Sequence, residues 1–166
     1  MNLEIWTDGS CWPNPGNGAW AFVILSNDEV IVEKSGFCQN VTNNRMEYQA
    51  LIEAFDYIKR EKIWYERLKV YSDSNLLVQT ITQWMERWKS NGWRRTVGRS
   101  LKPIANLDLV KKLDQIKSEY DFDIKWVKGH ADIKWNERCD QLCRLEFNNR
   151  GLKSFEELRE EGKLFR

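Results

Sequence analysis

The chain has 166 residues, 42% of them hydrophobic and 31% charged, with a formal net charge of +1. That length suits one domain able to bury its own core, and no run approaches the roughly 18–20 apolar residues of a membrane span. The N-terminal MNLEIWTDG carries neither a basic segment nor an apolar run, so no secretory leader is expected.

Residues 3–10 (LEIWTDGS) alternate as a strand that stops at Asp8-Gly9. CWPNPGNG (11–18) reads as a Pro/Gly/Asn loop, because proline cannot continue a central strand. AWAFVIL (19–25) and EVIVEKSGF (29–37) are β-rich and read as a hairpin, making the first third an antiparallel meander. The spacing predicts a helix over 42–60, capped by Thr42 or Asn43 and ending on Lys59 and Arg60. RLKVYSD (67–73) is a strand ending on an acid, and 74–81 turns straight into a helix. A helix–turn–basic segment follows over 82–102, then a helix over 102–120 with Pro103 at its start. A short strand (122–128) and a helix from about Asn136 to Phe147 complete the pattern. The final residues, GLKSFEELREEGKLFR, read as a charged peripheral tail. The order β-β-β-α-β-α-α-α-β-α is α/β, one mixed sheet with helices against it.

Four acids stand out by position. Asp8 and Asp73 end predicted strands, where open α/β sheets place their ligands, although both are also ordinary turn residues. Glu47 shares a helix face with Ala50, Leu51, Ala54 and Ile58, and Asp140 shares one with Asn136, Cys143 and Phe147. A carboxylate in an apolar stripe is costly to bury unpaired, so these two either reach the rim or bind a cation. Oxygen-only ligands favour Mg²⁺ or Mn²⁺ over zinc. Phosphoryl transfer is the chemistry that uses such a cluster. Cys11, Cys38, Cys139 and Cys143 form no C-x-x-C; Cys139 and Cys143 share a helix face and read as packing residues in a reducing, cytoplasmic setting.

Charge is unevenly spread. Residues 1–33 hold five acids and no Lys or Arg, whereas 84–102 hold six bases and one acid. Trp84 and Trp88 are i,i+4 neighbours suited to packing, while Lys89, Arg94, Arg95, Arg99 and Lys102 lie in a stretch without an acid. Phosphate-backbone binding is the natural use of that density.

These segments resemble ribonuclease H type I in its bacterial form with a basic protrusion. The likeness is carried by TDGSCWPNPGNGAW (7–20), TNNRMEYQALIEA (42–54), YSDSNLLVQTITQW (71–84), WKSNGWRRTVG (88–98), KPIANLDL (102–109) and KGHADIKWNERCD (128–140). It implies a ribonuclease H-like five-stranded sheet and a catalytic domain over 1–147, with a protrusion at 84–102 and a tail at 148–166. It further implies endonucleolytic cleavage of the RNA strand of RNA/DNA hybrids to 5′-phosphate and 3′-hydroxyl ends. Asp8, Glu47, Asp73 and Asp140 would hold two Mg²⁺, with Mn²⁺ as a substitute: Asp8 and Asp140 the ion that readies the water, Asp8, Glu47 and Asp73 the ion at the departing oxygen. His130, the only histidine in the chain, matches a mobile-loop residue that shuttles a proton or helps product leave. By the same resemblance Gly9, Ser10, Cys11, Asn14, Asn43, Asn44 and Asn75 read 2′-hydroxyls, Thr42 grips a DNA phosphate and Trp84 rests on DNA sugars. Trp88, Lys89, Trp93, Arg94, Arg95 and Arg99 hold the duplex without reading sequence. A monomer with no membrane and no obligate protein partner is expected. The family pattern usually has a glycine in the loop after the histidine, where this chain has Ala131-Asp132-Ile133-Lys134-Trp135.

Overall fold

The computed structural model describes residues 1–162. Strands β1 (Asn2–Trp12), β2 (Gly16–Ser26) and β3 (Glu29–Val41) form an antiparallel meander. Helix α1 (Asn43–Arg60) leads to β4 (Arg67–Ser72), which lies parallel to β1, and β7 (Asp123–Trp126) lies parallel to β4. The five-stranded sheet has the order β3-β2-β1-β4-β7. This is the mixed, helix-flanked sheet expected from the sequence.

Alternation along β1 divides the core. Leu3 and Ile5 join the larger cluster, built with Phe22 and Ile24 against the apolar face of α1 (Leu51, Phe55, Ile58) and of α4 (Leu107–Glu119). Trp6 points to the opposite face, stacks on Tyr71 at 4.4 Å and packs with Cys139, Cys143 and Phe147 of α5 (Lys134–Asn148). Phe22, Phe55 and Phe147 are fully buried; truncating any of them to Ala costs about 3–5 kcal/mol. All four cysteines are free thiols. Among the described residues no helix is long and apolar enough to cross a membrane.

Three local readings are corrected. β1 and β2 run on through most of the expected loop, leaving only Pro13-Asn14-Pro15 as the turn. The segment after β4 is one helical run: α2 (Asn75–Gln79), a π-helical turn (Thr80–Trp84) and α3 (Met85–Ser90). It ends in a hairpin of β5 (Arg94–Val97) and β6 (Ser100–Pro103), exposed throughout. Pro103 therefore closes a strand rather than opening α4. That helix starts at Leu107, after Asn106 swings into the left-handed region (φ 57°) and its carbonyl accepts from Leu109 and Val110. Arg45 fixes this start, pairing both guanidinium ends with Asp108 at 3.0 and 2.8 Å.

The tail folds back. Leu152 packs against the α5-side cluster, and α6 (Phe155–Glu160) is capped by the buried Ser154, whose Oγ accepts from the Glu157 N–H.

Candidate active site

Two parallel strands deliver the first pair of acids. The last register pair of β1 and β4 is Thr7 with Ser72. The next residue on each chain is an aspartate, so Asp8 and Asp73 emerge side by side from strands about 4.8 Å apart. Gly9 admits α1 to this edge: a Cβ there would lie 2.4 Å from the backbone nitrogen of Glu47. Carboxylate oxygens of Asp8, Glu47 and Asp73 all lie within 4.8 Å of one another.

Glu47 Oε2 is buried and has no hydrogen-bond partner. Burial first, then the Asp73 carboxylate, hold the Glu47 carboxyl well above the ordinary range, opposed by a hydrogen bond from the Gly9 backbone. Crowded like charges, an oxygen-only donor set and an orphaned buried oxygen are what a divalent cation relieves. The donors present fit Mg²⁺ or Mn²⁺.

Asp73 is held from several sides. Asn136, buried at the start of α5, donates to its Oδ2 at 3.2 Å, and Trp126 Nε1 donates to its carbonyl at 3.0 Å. Gly129 passes so close that a Cβ would sit 2.8 Å from the same Oδ2.

α5 supplies the remaining acid. Asp140 Oδ2 pairs with Arg144 Nε at 3.0 Å, one turn on. Ligand atoms of Asp140, His130 and Glu137 lie within 4.8 Å of one another. Sequence reasoning missed Glu137 and Asn136. The signal for Glu137 was available in its position one turn before Asp140; Asn136 was marked only by sharing the Asp140 face, and its role depends on where β4 ends.

His130 is exposed in the loop before α5, with φ 54°, and Asp132 follows at φ 57°. Asp132 thus adopts a left-handed conformation that glycine accepts more easily. The bulkier loop is docked: Ile133 and Trp135 pack on the α5-side cluster, with Lys134 Nζ 4.5 Å from the Trp135 ring centre.

A cleft of about 500 Å³ contains Asp8, Glu47, Asp73, His130 and Asp140 together with Gly9, Ser10, Cys11, Asn14, Asn43 and Asn44; Trp12, Ser74, Asn136 and Phe155 complete its walls. Its polar rim is cross-tied, since Asn14 Oδ1 accepts from the Asn43 N–H at 3.2 Å. The Cys11 thiol is turned away, donating to the Val41 carbonyl at 3.1 Å.

The other residues singled out from the sequence lie outside this cleft. Thr42 caps α1, its Oγ1 accepting from the Arg45 N–H, and Asn75 opens α2 exposed to solvent. Trp84 and Trp88 lie with ring centres 5.9 Å apart. Trp88 and Trp93 pack on the larger cluster, while Lys89 pairs with Asp114 at 3.0 Å. Arg94, Arg95 and Arg99 project from the hairpin region, exposed.

The RNase H family model matches residues 1–147. A ribonuclease H of Treponema denticola is 38% identical over 155 residues, covering 86% of this chain and 95% of that protein. The ribonuclease H of Photorhabdus laumondii subsp. laumondii is 39% identical over 147 residues, covering 89% of each. Among solved structures, LC9-RNase H1, described as a type 1 RNase H with the type 2 active-site motif, superposes with a TM-score of 0.71 at 26% identity, over 86% of this chain and 70% of that one. LC11-RNase H1, solved in complex with an RNA/DNA hybrid, shares the fold with a TM-score of 0.68 at 23% identity, over 89% of this chain and 98% of that one.

Proposed function

The chain belongs to the RNase H family and by that membership is an endoribonuclease; we propose that it hydrolyses the RNA strand of RNA/DNA hybrids, leaving 5′-phosphate and 3′-hydroxyl ends, as a type I enzyme whose β5–β6 hairpin is the basic protrusion. The observation that carries this reading is the Asp8–Glu47–Asp73 cluster, with its unpartnered buried Glu47 oxygen, at the floor of a polar-rimmed cleft.

Asp8 and Asp140 would hold one Mg²⁺ and Asp8, Glu47 and Asp73 a second, with Mn²⁺ as a substitute. Bound cations supply acidification of the attacking water and neutralisation of charge at the scissile phosphate and the departing 3′ oxygen. Asn136 keeps Asp73 turned into the cleft by its hydrogen bond to Oδ2. His130, at the exposed mouth, carries a proton on a ring nitrogen to or from the cleaved end, a task suited to imidazole.

Selectivity follows from the rim. Only the RNA strand offers 2′-hydroxyls, and Ser10, Asn14, Asn43 and Asn44 present short polar groups beside the backbone of Gly9. Cys11 contributes its backbone, because its thiol serves Val41. Thr42 Oγ1 accepts in its capping bond and so keeps its O–H to donate to a DNA phosphate. Asn75 and Trp84 contact the hybrid beyond the cleft, and Arg94, Arg95 and Arg99 bind phosphates without reading sequence. Lys89 contributes less because Asp114 already holds it. The enzyme acts as a monomer in a reducing cytoplasm, consistent with its four free thiols.

Four end-labelled substrates of one sequence test the selectivity: RNA/DNA hybrid, RNA/RNA, DNA/DNA and single-stranded RNA. The expected outcome is Mg²⁺-dependent internal cleavage of the hybrid's RNA alone. Cleavage of DNA, or equal cleavage of free RNA, contradicts the assignment.

A further inference from the structure

Alternation along β1 puts Asp8, Ser10 and Trp12 on one face of the strand. Trp12 stands four residues beyond Asp8, about 14 Å along the chain, and walls the same cleft. Its partner comes from the C-terminal segment: the Phe155 ring lies 4.9 Å from the Trp12 ring, centre to centre, tilted by 51°. Phe155 remains 37% exposed and also lines the cleft. Two aromatic rings thus wall a cleft lined otherwise mainly by carboxylates, short side chains and His130.

The position of Phe155 is built rather than incidental. Ser154, next to it, is 1% exposed and caps α6. Leu152 is packed against the α5-side cluster. Arg144 reaches α6 through Glu160 Oε1 at 3.4 Å while its Nε pairs with Asp140. The helix that carries Phe155 is therefore anchored to the helix that carries a cluster carboxylate.

We infer that Trp12 and Phe155 form an aromatic wall against which a nucleotide of the RNA strand, flanking the scissile phosphate, packs its base or ribose, so that the C-terminal helix is part of the substrate site. The inference rests on the hybrid-cleaving function proposed above. The occupant follows from the strand that bears the wall: the residues between Asp8 and Trp12 are those placed against RNA, and an aromatic face accepts any base without sequence preference. Stacking of a base on an aromatic side chain in this way is worth a factor of about 5 or more in affinity.

The test compares wild type with Phe155→Ala and Phe155→Trp in steady-state cleavage of a hybrid under Mg²⁺. Calorimetric Mn²⁺ titration and thermal unfolding are run on the same three proteins. The expected result is a KM for the hybrid raised about five- to tenfold in Phe155→Ala, with kcat within twofold and Mn²⁺ affinity unchanged, and KM restored in Phe155→Trp. An unchanged KM in Phe155→Ala on an active wild-type background overturns this inference alone. So does a fall in kcat or Mn²⁺ affinity that Phe155→Trp fails to reverse, since that marks a packing role. A wild-type protein inert on the hybrid overturns both the inference and the function it rests on.

Discussion

Asn136 Nδ2 donates to Asp73 Oδ2 across 3.2 Å, joining the first turn of α5 to the end of β4. Asn136 is 4% exposed, so the bond is shielded from competing water. Groups that orient metal-binding side chains typically contribute 10–100-fold to cation affinity or activity. Asn136→Ala is expected to lower cleavage by about that factor, with a matching rise in the Mg²⁺ concentration for half-maximal activity. A cation titration of initial rate checks it.

Glu47 gives a pH dependence with a definite sign. Its carboxyl is held well above the ordinary 4.5 by burial and by Asp73. The folded, cation-free protein therefore binds that proton more tightly than the unfolded chain does. The resulting stability is fully present below about pH 4.5 and is lost as pH rises toward the folded value. Glu47→Gln removes the penalty. In EDTA it is expected to unfold at a higher temperature than wild type at pH 8, with the gap closing as pH falls toward 4.5. Added Mg²⁺ should raise the midpoint of wild type more than that of the variant.

Two glycines at the site fail in different ways. A Cβ on Gly9 meets backbone, Glu47 N and Met46 C, both at 2.4 Å. Neither β1 nor α1 can yield cheaply, and Gly9→Ala is expected to destabilise the fold by about 3 kcal/mol. A Cβ on Gly129 meets the end of the Asp73 side chain at 2.8 Å, which can rotate away. Gly129→Ala is expected to retain most stability and lose activity. Denaturant unfolding beside a rate assay separates the two.

The contribution proposed for the hairpin is electrostatic. With β5 and β6 exposed throughout, replacing Arg94, Arg95 and Arg99 by Gln should leave stability within about 0.5 kcal/mol. Hybrid affinity should fall, and the slope of log affinity against log salt should flatten by about 0.9 for each phosphate no longer neutralised. Fluorescence anisotropy over a salt series measures both.

What could be read from residue order follows from what was local. The 42–60 helix was legible because apolar residues recur at helical spacing; it spans Asn43–Arg60, with Thr42 as the cap. Glu47 and Asp140 stood out because acids interrupt apolar faces, and Asp8 and Asp73 because each ends a strand. The β5–β6 hairpin was illegible for the converse reason: its strands bury neither face, so no alternation marks them. Pro103 misled because proline suits the last position of an edge strand as well as the first turn of a helix. Phe155 was invisible at the cleft because its place depends on α6 docking over α5, through Arg144 and Glu160.

The most direct test uses one RNA/DNA hybrid with the RNA 5′-labelled, incubated with wild type in Mg²⁺, wild type in EDTA, and Asp8→Asn in Mg²⁺. Internal RNA fragments ending in 3′-hydroxyl, in the first reaction alone, are the expected result. Fragments of equal yield in EDTA or with Asp8→Asn would contradict a hydrolysis that depends on cations held by the carboxylate cluster.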